Sequence, residues 1–309
     1  MIKRILLFIT SGLILTSCLE MNVHYTINPD LTGKVETEYL MPVDPMGFGT
    51  KLDDPDGKAK KEIFKMLEEY PAINTWNKIE YEYINDSTDL IIKATGYFDN
   101  FNNLKEKGIL PYEILKEGKD TYFTFKTYLD SVHIENEKTE LKSLEELGIS
   151  EKDLKDSVRK LKRNFKKGFG MFAMVMSNIE FNTTYEFAGS ITTADGKNIG
   201  DGSKFSVGLD GMKFQNYMME ELDNDDYYES IVRGASPFDV DTEPSENKEM
   251  KRMVLEFLSG EKEDISKIKV EFGKAKFDYK KELKKAKKEW DSWKKKNPKT
   301  DGDEKIKKS

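Results

Sequence analysis

Cysteine and histidine are nearly missing from this chain: Cys18 is the single thiol in 309 residues, and His24 and His133 are the only imidazoles. One cysteine excludes an intramolecular disulfide framework. Two histidines beside it are too few nitrogen and sulfur ligands for an ordinary zinc site. A G-x-x-x-x-G-K-[ST] phosphate loop, a G-x-S-x-G nucleophile elbow and a G-x-G-x-x-G turn opening a helix after a strand are all lacking. The 57 acidic residues offer many carboxylates, but no spacing singles out a catalytic pair. Asp53-Asp54-Pro55-Asp56-Gly57 and Asp223-Asn224-Asp225-Asp226 lack EF-hand spacing and a closing glutamate, so both read as solvated acidic turns. These absences predict a protein that is not an enzyme and holds no cofactor and no metal. Positive charge is in deficit too, with 50 Lys and Arg against 57 Asp and Glu. That balance disfavours nucleic acid as a partner.

Long apolar runs are likewise absent except at the start. Residues 5–15 are largely apolar and follow Lys3 and Arg4. Eleven such residues cannot cross a hydrocarbon core of about 30 Å, so the segment reads as a secretory signal and not as a spanning helix. Leu15-Thr16-Ser17-Cys18 fits a bacterial lipobox, with an aliphatic residue, two small residues and the cysteine. Residues 1–17 are therefore expected to be removed and Cys18 to carry a thioether-linked diacylglycerol, usually with a third chain on its amine. Two or three acyl chains make attachment effectively permanent. Leu19 stands where an aspartate would argue for inner-membrane retention, so the expected location is the outer membrane, facing the periplasm. Losing Lys3 and Arg4 takes the formal net charge from −7 to −9.

Alternating residues at 23–27 and 34–40 around Asn28-Pro29-Asp30-Leu31-Thr32-Gly33 predict a β-hairpin directly behind the cysteine. Residues 58–70 read as a helix stopped by Pro71, and 78–84 and 90–97 as strands. A second hairpin is expected at 113–115 and 121–128 around Glu117-Gly118-Lys119. Residues 137–147 and 151–166 read as helices, and 179–187 as the cleanest strand, ended by Gly189. A further strand is expected near 205–207, while 215–221 is ambiguous. Residues 236–245 look like a linker, 249–258 like a helix, 267–272 like a strand and 278–295 like a helix. Strands in runs with helices inserted indicate an α+β fold, mostly antiparallel sheet, plus a C-terminal amphipathic basic helix. The expected organisation is a signal at 1–17, a lipid-anchored α+β domain at 18–235, a helix-strand-helix segment at 236–296 and a disordered charged tail at 297–309.

Two stretches carry a family resemblance. Residues 23–39 put a strand just after the lipobox, an Asn-x-Asp-x-x-Gly turn and a second strand. Residues 179–207 put an aromatic strand before Phe187-Ala188-Gly189, a polar segment and Phe205-Ser206-Val207. In both, the chain resembles the envelope lipoproteins related to mycobacterial LppM. It departs from them at Leu31, where they commonly have Gly, at Ala188, where they have Pro, and near Phe205, where they have Trp. The resemblance implies an anchored α+β domain similar to lipid-handling folds that binds an envelope amphiphile, and it brings no catalytic residues.

Gly-Phe-Gly occurs at 47–49 and 168–170, each time beside methionines: Met46 before Phe48, and Met171, Phe172 and Met174 after Phe169. Flexible, polarisable methionine adapts to varied ligands and glycine frees a loop. These residues are the candidate lips of an apolar pocket, or else plain core. From Tyr279, apolar residues recur at Leu283, Ala286, Trp290 and Trp293, one seam of a helix. Residues 274–296 carry a net charge of +7. Trp290, Trp293, Lys294, Lys295 and Lys296 could meet anionic headgroups, or the seam could pack on the domain with its lysines solvated. The leading expectation is non-enzymatic binding of a lipid or other amphiphile in an apolar cavity. Its rival is an interaction or scaffolding module docking onto another envelope protein.

Overall fold

The computed structural model describes residues 19–42, 72–84, 89–104, 112–125, 142–177, 179–221, 225–233 and 265–297, with scattered residues of 57–67 and 258–263. Alternating segments near the start pair first. β1 (Leu19–Ile27) and β2 (Gly33–Pro42) form the expected hairpin. β3 (Thr75–Ile84) and β4 (Asp89–Phe98) extend it, and β7 (Ile179–Phe187) and β9 (Lys204–Asp210) complete a six-stranded sheet of order β3-β4-β2-β1-β7-β9. All its neighbours are antiparallel except β1 and β7, which run parallel from Leu19 opposite Ile179 to Ile27 opposite Phe187. A second sheet has the order β5-β6-β10-β8, from Tyr112–Glu117, Asp120–Phe125, Lys267–Phe272 and Gly189–Thr193. It is antiparallel throughout. The fold is α+β, as the strand and helix patterns imply.

Period-two patterning sends Tyr25, Tyr185, Phe187 and Phe205 to one face of the six-stranded sheet, where they meet Tyr112 and Phe123 of the second. Tyr25 stacks on Tyr185 at 5.4 Å, Tyr185 on Phe205 at 5.3 Å, and Tyr112 on Phe123 at 4.3 Å. Phe101, in a 3-10 turn at Phe101–Asn103, closes the cluster edge-on to Tyr25. These rings fill the space between the sheets.

β7 ends at Phe187, within its expected bounds, but Gly189 opens β8 and not a turn. The chain bends at Ala188 between the two, so consecutive strands serve both sheets. Ala188 donates its N–H to Ile27 O and accepts from Gly273 N, which fixes the corner from both sides. A Cβ on residue 189 would overlap the Glu271 carbonyl oxygen, so only glycine fits there.

Helices lie outside the sheets. α1 (Leu144–Leu147) opens on a Ser143/Glu146 capping box and ends at left-handed Gly148. α2 (Glu151–Met176) runs ten residues beyond the expected end at 166. Gly168 and Gly170 weaken a helix by about 1 kcal/mol each, but the flanking Met and Ala are good helix formers. α3 (Gly211–Glu221) resolves the ambiguous stretch, and α4 (Asp225–Val232) follows it. Leu154, Val158 and Tyr228 form a small core of their own between α2 and α4. Of the helix expected over 137–147 only its last turn is described, and the expected linker at 236–245 lies outside the described residues.

The C-terminal stretch does not stand beside the sheets but enters them. β10 pairs with β6 on one side and β8 on the other. α5 (Tyr279–Lys296), capped by Asp278, then packs on edge strand β3.

Candidate functional site

Register puts one end of every strand of the six-stranded sheet on the same side as Leu19. Leu19 lies opposite Ile179, Glu180 opposite Asp210, Glu20 opposite Leu40, and Pro42 and Ile84 opposite Asp89. β1 begins one residue after Cys18, the position expected to be lipidated. Cys18 itself lies outside the described residues, as do Met46 and Phe48. The chain that carries Met46 and Phe48 leaves this end after Pro42. Phe169, Met171, Phe172 and Met174 belong to the last two turns of α2, which ends at Met176, three residues before β7 starts at the same end. Gly168-Phe169-Gly170 is therefore helical and not a loop at an element end. The side chains of 168–176 lie outside the described part.

The opposite face of the sheet carries the even positions of β1 and their neighbours, and it is polar. Asn22 and His24 on β1, Glu36 and Glu38 on β2, Lys93 and Thr95 on β4, Lys78 and Glu80 on β3, and Asn182 and Thr184 on β7 line an open cleft of about 380 Å³. β3 slips register between Asn77 and Glu80, with Lys78 at φ 48°. Such a bulge re-aims a side chain, and here Lys78 becomes part of the cleft wall. Lys93 Nζ lies 2.8 Å from Glu38 Oε2, and this hydrogen bond and charge hold its ammonium above the ordinary lysine value. Asn22 donates to Glu20 at 2.8 Å and Asn182 donates to Glu180 at 2.9 Å, two equivalent pairs side by side on the parallel strands.

Beyond the cleft, Glu186 gathers three basic groups: His24 Nε2 at 2.9 Å, Lys276 Nζ at 3.0 Å and Lys204 Nζ at 3.5 Å. Burial pushes its carboxyl up, but the Lys276 hydrogen bond and the charges of Lys204, Lys276 and His24 outweigh this and hold it below the ordinary value. Lys276 N also donates to Asn28 Oδ1, so the cluster pins the C-terminal crossing to the β1–β2 turn. The arrangement is an ion-pair network that joins segments distant in sequence. Among the described residues, no group of three or more His, Cys, Asp or Glu could hold a metal ion.

α5 turns its seam inward. Ala286 is fully buried, Trp290 and Trp293 pack on the main core and stack on each other at 5.3 Å, and Phe64 meets Trp293 edge-on. Of the two placements open to the tryptophans, the membrane surface and the domain, they take the domain, where the seam covers edge strand β3. Lys294, Lys295 and Lys296 are exposed. The first turn is held by Tyr279, which donates to Asp99 at 2.5 Å, and by Tyr97, which donates to Glu282 at 3.1 Å. Burial and the neighbouring carboxylate push both hydroxyls well above the ordinary tyrosine range.

The polar cleft escapes sequence reading because its residues come from five strands. Their outward direction is readable from alternation, but which of them share a wall depends on register. No helix among the described residues is long and apolar enough to cross a membrane. Compared with protein families, with curated proteins and with solved structures, the chain matches none.

Proposed function

We propose that this chain is a lipoprotein of the cell envelope, tethered through acylated Cys18, whose folded part binds a lipid or other amphiphile without catalysing a reaction. One observation carries the reading. The tether, the chain bearing Met46 and Phe48, and the end of α2 bearing Phe169 to Met174 all join the six-stranded sheet at one end. A ligand leaving the bilayer meets that end first. The filled space between the sheets directs the search for an apolar site to these Met- and Phe-rich segments and away from the sandwich interior. Native mass spectrometry with organic extraction, on protein starting at Leu19 and secreted to a bacterial periplasm, tests this. A stoichiometric co-purified lipid is the expected result. A bare mass, with no uptake from added lipid extracts, removes the reading.

The polar cleft favours a second reading, an interaction module for another envelope protein. An open face offering amides, hydroxyls and charges of both signs suits a polar partner surface better than an acyl chain. Glu36→Lys with Glu80→Lys reverses the charge of the cleft and leaves the core untouched. Pull-down of the same envelope partner with and without these changes checks this reading, which fails if capture is unchanged.

A further inference from the structure

Two large apolar side chains are exposed among the described residues, Leu115 at 37% and Met212 at 60%. Single exposed hydrophobics are ordinary on a protein surface. The position of Met212 is not. β9 ends at Asp210 and α3 starts at Gly211, at the same end of the sheet as Leu19. β9 lies two strands from β1, so at about 4.8 Å per strand its end at Asp210 lies about 10 Å from β1, and Met212 follows two residues later. Asp210 accepts from Met212 N at 2.9 Å and from Lys213 N at 3.0 Å, which locks the first turn of α3. Lys213 follows it, its side chain 76% exposed and its ammonium 3.7 Å from Asp210 Oδ2. Glu20, Glu180 and Asp210 line the same end, and the cost of dehydrating carboxylates limits any contact to the depth of the headgroups.

Resting on the proposed acylation of Cys18, we infer that Met212 dips into the bilayer beside the anchor. It is a second, shallow contact that sets the sheet upright on the membrane. The β1–β2 turn then points away, about 30 Å out for nine residues of β1. The test uses the full acylated chain in phosphatidylcholine vesicles, labelled with an environment-sensitive fluorophore at Met212→Cys or at Asp30→Cys, an exposed position in that turn. Acylation occupies the native sulfur, so each variant has one reactive thiol. The expected result is that vesicles shift the Met212→Cys label to the blue, lower its quenching by aqueous iodide several-fold and let acyl-chain-brominated lipid quench it, while the Asp30→Cys label changes in none of these. Equal iodide access at both positions, on protein that floats with vesicles and carries the acyl mass, overturns the inference and leaves the tether standing. Protein that neither floats nor carries that mass overturns both.

Discussion

At the scale of single residues, three positions carry a specific backbone or charge requirement. Gly189 lets consecutive strands serve both sheets. Gly189→Ala should lower stability by about 1–3 kcal/mol, because the added carbon meets the rigid Glu271 carbonyl and not a mobile side chain; a urea melt reads this. Leu31 sits at φ 65°, which costs a non-glycine residue about 1–2 kcal/mol, while its side chain packs against the core and its carbonyl accepts from Phe101 N. Leu31→Gly should therefore be close to neutral, backbone relief offsetting lost packing, while Leu31→Val, β-branched in the left-handed region, should destabilise. Glu186 has its carboxyl below the ordinary value of 4.5 in the fold, so its stabilisation is complete above 4.5 and is lost as pH falls from there through the group's own lower value. The difference in Tm between wild type and Glu186→Gln should accordingly shrink as pH drops below about 4.5.

At the scale of elements, α5 shows how composition and packing divide a helix. Its seven-residue excess of positive charge over 274–296 suggests a membrane surface, yet its seam faces the domain. Trp293→Ala should destabilise by about 2–3 kcal/mol, as expected for a partly buried tryptophan. Replacing Lys294, Lys295 and Lys296 together by Gln should cost no more than about 1 kcal/mol, since all three are exposed and, among the described residues, only Lys294 has partners, Asp291 and the Trp290 ring. Comparable losses from both sets would contradict the inward seam. The hydroxyls of Tyr97 and Tyr279 have raised pKa values, so their contribution is present below the ordinary tyrosine value of 10.0 and is lost as pH rises beyond it. The first turn of α5 should loosen in that alkaline range before the sheets do. β7 illustrates the opposite case, in which Ile179, Phe181, Thr183, Tyr185 and Phe187 alternate so regularly that the strand is plain from sequence.

At the scale of the whole molecule, β10 at Lys267–Phe272 is part of the sheet framework. Removing residues 236–309 takes β10 from between β6 and β8 and leaves both without that neighbour. Such a protein should lose its cooperative thermal transition by near-UV circular dichroism, and a sharp transition retained at the wild-type temperature would show the sheets to be independent of β10. The two hairpins, the strand at 179–187, the basic helix and the α+β class are all legible in the sequence, because each rests on local spacing of apolar and turn-forming residues. The placement of β10, the corner at Gly189, the polar cleft and the convergence of Leu19, the end of α2 and Met212 at one end depend on pairings across as many as 160 residues, such as Leu19 with Ile179. Local propensity determines what each segment becomes, whereas strand register decides which segments share an edge. Register emerges only when whole faces compete for one core.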